Sequence, residues 1–392
     1  MLAVMHEPLV DWLLSPACRE LGRRALIAEL IARLQAAGVG FERFSVSFRT
    51  RHPEVWLENF SWTAEGGLVG HLRDNAVTRQ PMFLASPVAE LYAGASERRV
   101  RLPTEAARYP VTRELAAAGF TDYISLALPA AQRSFVSLAT RAPGGFREDV
   151  LRSMRLLVPA LSLRIELASE RWATASLLRT YLGANAARHV LDGQFRLGQG
   201  RPIEAAIWSC DLRGFTALVD TVEIDEVLST LNEYFECVTG PIANHGGEVL
   251  KFIGDAVLAI FTGADEAEHG RCAAALAAAQ EAFAALDALS ERRVERGLRP
   301  LAFGLALHHG VVTYGNIGAR DRLDFTVIGP AVNEVTRVES LCKSTGYRLL
   351  LTSAFVEACD GSARARLRGV GRHALRGVAE PVQLYTLAPD DD

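Results

Sequence analysis

Two aspartates in matching sequence contexts are the residues of this chain best suited to chemistry. Asp211 lies in AAIWSCDLRGFT and Asp255 in KFIGDAVLAIF, and each follows a short apolar stretch that predicts a strand. Carboxylates at two strand ends can converge on one divalent cation, and hard oxygen ligands favour magnesium or manganese over zinc. The stretch after Asp211 predicts a tight turn into a helix, whose free N–H groups suit a phosphate. Together these features indicate nucleotide phosphoryl chemistry.

The elements that must position these aspartates follow one another from residue 201. Apolar patterning predicts a strand, a helix, a hairpin that carries Asp255, a long alanine-rich helix over 270–296, two further strands and a helix. Strands near RLLLTS and PVQLYTL are expected to close the sheet. The pattern predicts an α+β domain over 201–392.

Length and composition set the remaining bounds. A chain of 392 residues predicts two domains and a connector. Its composition is 49% hydrophobic and 22% charged with a net charge of −4, which gives no reason to expect nucleic acid or an anionic membrane as partner. Six scattered cysteines indicate free thiols in a reducing compartment, and the apolar stretches are too short for a membrane span. We therefore expect a cytoplasmic protein.

The N-terminal part predicts a smaller α+β domain. A helical pattern over 17–37 is followed by strand-like alternation in FERFSVSF, and YISLALP with SFVSLAT predicts a hairpin. The last hairpin and the exit helix FREDVLRSMRLLVPALSLRIE resemble a GAF-type sensor domain. The resemblance implies an N-terminal domain that binds an unknown small-molecule or protein signal.

The exit helix carries an apolar seam whose members are three or four residues apart. These are Val150, Met154, Leu157, Leu161, Ile165, Ala168, Trp172 and Ala175. Such a seam favours a coiled-coil stalk between two chains. Packing of the helix on its own domain produces the same periodicity, so that alternative stays open.

Four motifs resemble the catalytic domain of class III nucleotidyl cyclases, in the order of that family. They are CDLRGFT, HGGEVLKFIGDAVLAIF, HHGVVTYGNIG and DFTVIGPAVNEVTRVES. The resemblance covers residues 203–388 and implies a ferredoxin-like α+β fold. It also implies conversion of a nucleoside triphosphate to its 3′,5′-cyclic monophosphate and pyrophosphate. By this resemblance Asp211 and Asp255 hold two Mg²⁺ or Mn²⁺ ions per active site, and Phe215 and Thr216 lend backbone N–H groups to the phosphates.

The same resemblance gives roles to residues on the base and ribose side. Lys251 matches the base-reading lysine, and an ammonium, which only donates, suits the N1 acceptor of adenine. Thr326 matches the position whose side chain accepts from the adenine N6 amine, so the combination favours ATP. Asn333 matches the ribose-positioning asparagine and Arg337 the transition-state arginine, and their i, i+4 spacing puts both on one helix face.

The sequence therefore predicts a sensor-regulated adenylate cyclase. We expect a GAF-like domain over 1–146, a helical linker over 147–200 and the catalytic domain over 201–392. In the family the site forms between two catalytic domains, so a complete residue set on one chain implies a homodimer with active sites at its interface. A guanylate cyclase is the nearest alternative. A non-catalytic nucleotide-binding partner is the other, although such members typically lose a residue that this chain keeps.

Overall fold

The structure is a computed structural model that describes residues 6–50, 57–73, 80–129, 134–193, 200–263, 268–376 and 380–388. The chain divides into two compact units, Met1–Leu177 and Leu178–Asp392. Both units combine helices with a mainly antiparallel sheet, so the predicted α+β class is confirmed.

The first unit contains a six-stranded antiparallel sheet of order β3-β2-β1-β6-β5-β4. Its strands are β1 Arg43–Arg49, β2 Leu57–Thr63, β3 Gly67–Arg73, β4 Glu97–Arg101, β5 Asp122–Leu128 and β6 Ser134–Thr140. Its helices are α1 His6–Leu14, α2 Pro16–Arg19, α3 Arg23–Ala36, α4 Pro81–Leu84, α5 Pro87–Tyr92, α6 Pro110–Ala117 and α7 Glu148–Leu182, which runs past the unit's end. The predicted hairpin is confirmed as β5 and β6, and its connecting residues 130–133 lie outside the described residues.

The seam of the exit helix packs in the first unit's own core. Val150, Met154 and Leu161 of α7 are buried in one cluster with side chains of α1, α3 and the sheet. Trp172 is covered by the guanidinium of Arg23, whose carbon lies 3.9 Å from the ring centroid. The expectation of a coiled-coil stalk along this seam is therefore wrong. The same periodicity arises because α7 folds back on its own domain.

The second unit is built on an eight-stranded sheet. Its path is β13-β14-β12-β10-β7-β9-β8, and β11 pairs with β10. The strands are β7 Gly200–Leu212, β8 Glu248–Ile253, β9 Ala256–Phe261, β10 Phe303–Ala319, β11 Arg322–Ile328, β12 Leu349–Thr352, β13 Leu367–His373 and β14 Val382–Leu387. The helices are α8 Ala184–Leu191, α9 Phe215–Val219, α10 Ile224–Asn244, α11 Glu268–Glu295, α12 Pro330–Thr345, α13 Ser353–Ala358 and α14 Gly361–Ala365.

Strand alternation divides the core of this unit into two layers. In β7, Trp208 and Cys210 point into a cluster with α10 and α11, whereas Ala205 and Ile207 point into a cluster with α12. Helices therefore cover both faces of the sheet, and the polar ends of the strands lie at its edge. The predicted order of strands and helices from 201 is reproduced, with β13, α13 and α14 as additions.

The alanine-rich helix belongs to the core. Of the described helices, one passes a test of length and composition for crossing a membrane, over Gly270–Glu295, and half of its tested window is buried within the protein. Its buried side chains, including Cys272, Leu276 and Leu286, lie in the cluster shared with β7 and α10. The small alanines let this helix lie close to its neighbours.

Candidate active site

The two aspartates lie at neighbouring positions in the sheet. Asp211 is near the end of β7, and Asp255 lies in the tight turn between β8 and β9, after Gly254 at φ 65°. Because β7 and β9 pair antiparallel with Cys210 opposite Val257, the end of one strand meets the start of the other. A positive φ suits the residue without a side chain, so Gly254 permits the sharp turn that delivers Asp255.

The two carboxylates form a strained electrostatic pair. Burial raises the pKa of Asp255 from 3.8 to about 7, and the neighbouring Asp211 carboxylate adds to this effect. The Oδ1 atom of Asp211 is buried and has no hydrogen-bond partner among the described residues. Burial and the proximity of the two acids therefore disfavour a second negative charge on the pair.

Glu339 of α12 is a third acid near the pair, and we did not predict it from the sequence. Burial raises its pKa to about 7, and the Asp211 carboxylate is the next largest contribution. The helix approaches β10 closely here, since a Cβ added at Gly304 would lie 2.8 Å from Cβ of Cys342 and 3.3 Å from Oε1 of Glu339. The sequence feature that could have identified Glu339 was an acid beside Val338 and Cys342, which are buried positions of α12.

A cavity of about 590 Å³ lies in front of these acids, and we call it the carboxylate cavity. It is lined by Asp211, Asp255 and Glu339 together with Phe215 and Thr216, which begin α9. Gly214 precedes them at φ 76°, and the first N–H groups of a helix have no acceptor within the helix. The structure thus brings together four of the predicted site residues in one cavity.

Lys251 lies in a second cavity of about 740 Å³, the lysine cavity. The pairing of β8 with β9 shifts by one residue between Val249 and Lys251, and such a bulge redirects the side chains that follow it. The Nζ atom of Lys251 donates a hydrogen bond to Oδ2 of Asp324. Lys251 and Asp255 are therefore four residues apart but line different cavities.

The remaining predicted residues line neither of these two cavities. Thr326 is 6% exposed, and its Oγ1 is buried with no hydrogen-bond partner among the described residues. Asn333 is exposed and Arg337 half-buried on α12, separated by one helical turn. Arg337 acts electrostatically on Glu334, where it lowers a pKa that burial raises. Within one chain, the predicted site residues therefore lie in separate places. Four line the carboxylate cavity, Lys251 lines the lysine cavity, and Thr326, Asn333 and Arg337 line neither.

A sequence profile described as "Adenylate and Guanylate cyclase catalytic domain" matches residues 202–388. An adenylate cyclase of Anabaena cylindrica is 33% identical over 181 residues, which are 45% of this chain and 35% of that protein. An uncharacterised protein of Mycobacterium tuberculosis is 33% identical over 216 residues, which are 55% of this chain and 38% of its own length. The chain thus spans little more than a third of these curated relatives.

The solved structure of a bacterial light-regulated adenylyl cyclase has a similar fold. It aligns with a TM-score of 0.50 and 22% identity, and covers 65% of this chain and 82% of its own. This likeness is one of fold. Residues 202–388 are a class III adenylate/guanylate cyclase catalytic domain, as the resemblance implied. The GAF-type identity of the first unit remains a prediction.

The carboxylate cavity fits the divalent ions that class III cyclases use in general. An orphaned carboxylate oxygen on Asp211 and a disfavoured second charge on Asp255 are relieved by a cation, and both offer hard oxygen donors. Among the described residues there is no group of three metal-ligating side chains. Mg²⁺ is commonly bound by one or two carboxylates and completes its shell with water and phosphate oxygens, so a pair is sufficient.

We predict that Asp255→Asn stabilises the metal-free protein at high pH. A carboxyl whose pKa rises from 3.8 to about 7 on folding keeps its proton in the folded state between these values, so stability falls as pH rises through this range. In EDTA at pH 8 the variant should melt a few degrees above the wild type, since about 1 kcal/mol shifts the Tm of a domain this size by roughly 2–4 °C. The difference should vanish near pH 4.

Thermal melts at pH 4, 6 and 8 measure this difference, and added Mg²⁺ provides the control. The ion should raise the Tm of the wild type more than that of the variant, because a ligand that binds the folded state more tightly adds more stability at the same concentration. A variant that melts at or below the wild type in EDTA at pH 8 would contradict the inference that a second negative charge on the acid pair destabilises the folded protein.

Proposed function

We propose that this protein is an adenylate cyclase that converts ATP to 3′,5′-cyclic AMP and pyrophosphate. The observation that carries the proposal is the carboxylate pair Asp211 and Asp255 beside the start of α9, within a domain of the cyclase family. The curated relative from Anabaena cylindrica is named an adenylate cyclase, which supports ATP as the substrate.

Each residue of the carboxylate cavity has a binding task in this proposal. The Asp211 and Asp255 carboxylates would hold two Mg²⁺ or Mn²⁺ ions, which supply charge neutralisation at the phosphates and acidification of the ribose 3′-hydroxyl. The backbone N–H groups of Phe215 and Thr216 bind phosphate oxygens.

The base and ribose contacts come from the other groups. Lys251 donates to N1 of adenine, an acceptor, whereas guanine carries a hydrogen there and would face a cation. By the family resemblance, Thr326 is the partner of the 6-amino group. Asn333 orients the ribose, and the planar fork of Arg337 binds the charge that develops on the α-phosphate.

We further propose that the working enzyme is a homodimer with a site at each side of its interface. The acids and Lys251 line different cavities of one chain, and Asn333 and Arg337 line neither. This separation supports a site that two copies complete, with the acids from one copy and the base and α-phosphate contacts from the other. Two-fold symmetry then gives two equivalent sites.

The purified protein should form cyclic AMP from ATP with Mg²⁺ or Mn²⁺, and form cyclic GMP from GTP more slowly. Asp211→Asn should lower turnover by at least about 10²-fold, because it removes a charged ligand while it keeps the side chain's shape. Product analysis by chromatography measures both. A protein that prefers GTP would be the guanylate cyclase of the sequence analysis, and a folded dimer without any cyclic product would be a nucleotide-binding module.

We also propose that the linker controls the catalytic unit through α8. Glu248, three residues before Lys251 on β8, accepts hydrogen bonds from Nδ2 of Asn185 at 3.0 Å and from the N–H of Ala186 at 3.3 Å. The hydroxyl of Tyr314 donates to the same carboxylate at 2.9 Å. Glu248 thus holds the first turn of α8 against β8 and β10.

The other end of α8 contacts the strand that carries the base-side residues. The ring of His189 stacks on Phe325 with centroids 5.5 Å apart and planes at 18°. Phe325 lies between Asp324 and Thr326 on β11, so a shift of α8 is transmitted to the lysine cavity. This contact supports regulation of the catalytic unit by an unknown small-molecule or protein signal at the N-terminal domain.

Removal of residues 1–177 should consistently raise or consistently lower cyclase turnover, because the N-terminal domain no longer acts on α8. Glu248→Gln in the full chain should reduce that difference, since it weakens the attachment of α8 to β8. Specific activity at matched dimer concentration measures both effects, with Glu281→Gln on the surface of α11 as a matched control. Equal activity of the full chain and residues 178–392 under all conditions would contradict this regulation.

A further inference from the structure

Arg213, two residues after Asp211, lines the carboxylate cavity but has no task in the proposed function. Its backbone N–H donates to the carbonyl oxygen of Ala302 at 2.7 Å, just beyond the end of β7. Its side chain extends to α12, where Nη2 donates to the carbonyl oxygens of Cys342 at 2.9 Å and Tyr347 at 2.5 Å. One side chain therefore joins the loop after Asp211 to the C-terminal end of α12.

The two carbonyl groups that Arg213 contacts lie on either side of the residue that ends α12. This residue is Gly346 at φ 80°, whose N–H also donates to the carbonyl of Cys342, and Tyr347 follows it directly. The C-terminal end of a helix carries partial negative charge, so a guanidinium is favoured there. Arg213 thus binds both the last turn of α12 and the segment that leaves it.

The strand side fixes the same end of the helix. Gly304 of β10 is the register partner of Asp211 on β7. A Cβ added at Gly304 would lie 2.8 Å from Cβ of Cys342, which is closer than real side chains come. α12 therefore lies directly against the backbone of β10, beside the acid. The missing side chain at Gly304 and the hydrogen bonds of Arg213 hold the helix at one place.

The same helix carries the arginine that the proposed function assigns to the α-phosphate. Arg337 comes five residues before Cys342 in a continuous helix of 16 residues, which is about 7.5 Å along the axis. In the proposed dimer this arginine serves the site whose acids come from the other copy. One end of α12 therefore lies at one pair of acids, while its Arg337 works at the second pair.

We propose that Arg213 is a positioning residue that fixes α12 at the acids of its own chain and thereby places Arg337 in the site completed by the other copy. This inference rests on the proposed function, in which two copies share each site. Arg213 acts here through the helix and not on the substrate. Its loss in one copy should therefore damage chiefly the site that contains this copy's Arg337.

The test uses mixed dimers of the full chain in which one site works. One copy carries Arg337→Ala and supplies the acids, and the other carries Asp211→Ala and supplies the arginine. Different affinity tags on the two copies isolate the mixed dimer. Arg213→Ala is then added either to the arginine-supplying copy or to the acid-supplying copy, and kcat and KM for ATP are measured.

Arg213→Ala in the arginine-supplying copy should lower kcat by about 10- to 100-fold and leave KM within about 2-fold. A misplacement of about 1 Å can cost about 10²-fold, and Arg337 acts on charge that develops in the transition state. In the acid-supplying copy, which already lacks Arg337, the same change should leave kcat within about 3-fold. Arg213→Lys keeps a cation with several donors and should restore part of kcat.

Two further variants of the arginine-supplying copy sharpen the test. Gly304→Ala should also lower kcat, because the new Cβ displaces Cys342 and with it α12. Arg364→Ala is the matched control, since Arg364 donates to the carbonyl of Val356 at 2.8 Å, near the end of α13. This control should change neither kcat nor KM.

Each other outcome overturns the inference in a distinct way. An equal fall from either copy would make Arg213 a general support of the fold, and a fall only from the acid-supplying copy would make it a local support of Asp211. Unchanged kcat from both would remove any role. If Arg213→Ala prevents dimer assembly, unchanged kcat in Gly304→Ala overturns the inference instead. A parent mixed dimer that forms no cyclic AMP would show that the shared site itself fails, and the inference with it.

Discussion

The catalytic unit depends on one constraint, which is that Asp211 and Asp255 must stay together although neither their charges nor their burial favour it. Burial and proximity raise the pKa of Asp255 to about 7, and one oxygen of Asp211 has no partner among the described residues. The sheet enforces this arrangement, because β7 and β9 pair over Cys210 and Val257 and a glycine turn precedes Asp255. Binding sites commonly hold groups in arrangements that lower the stability of the folded protein, and ligand binding restores that stability.

The same hairpin that delivers Asp255 also separates it from Lys251. Lys251 follows a bulge in β8 and enters the lysine cavity, while Asp255 enters the carboxylate cavity. A single copy therefore holds the acids and the lysine in two different cavities. This division is the physical reason for the proposed homodimer, in which the α8 contacts at Glu248 and Phe325 would act on the base side without touching the acids.

Much of the catalytic unit could be predicted from the sequence, because strong apolar runs such as AAIWSCD and VLAIF become central strands and the alanine-rich stretch becomes the core helix α11. β13 was missed because it is an edge strand rich in glycine and arginine, in which Leu367 and Val370 are the apolar residues. The seam of α7 was assigned to the wrong partner, since periodicity does not reveal what covers a helix. The Lys251–Asp324 pair and the approach of Glu339 depend on a bulge and on helix packing, which local sequence does not encode.

The most direct test of this account mixes two inactive variants, Asp211→Ala and Arg337→Ala, after dissociation and reassembly of the dimers. If the acids of one copy work with the arginine of the other, each mixed dimer has one intact site and one site with both lesions. An equal mixture should then regain about one quarter of wild-type cyclic AMP formation, because about half of the dimers are mixed and half of their sites are intact. No recovery, with mixed dimers confirmed by affinity tags, would contradict a site shared between two copies.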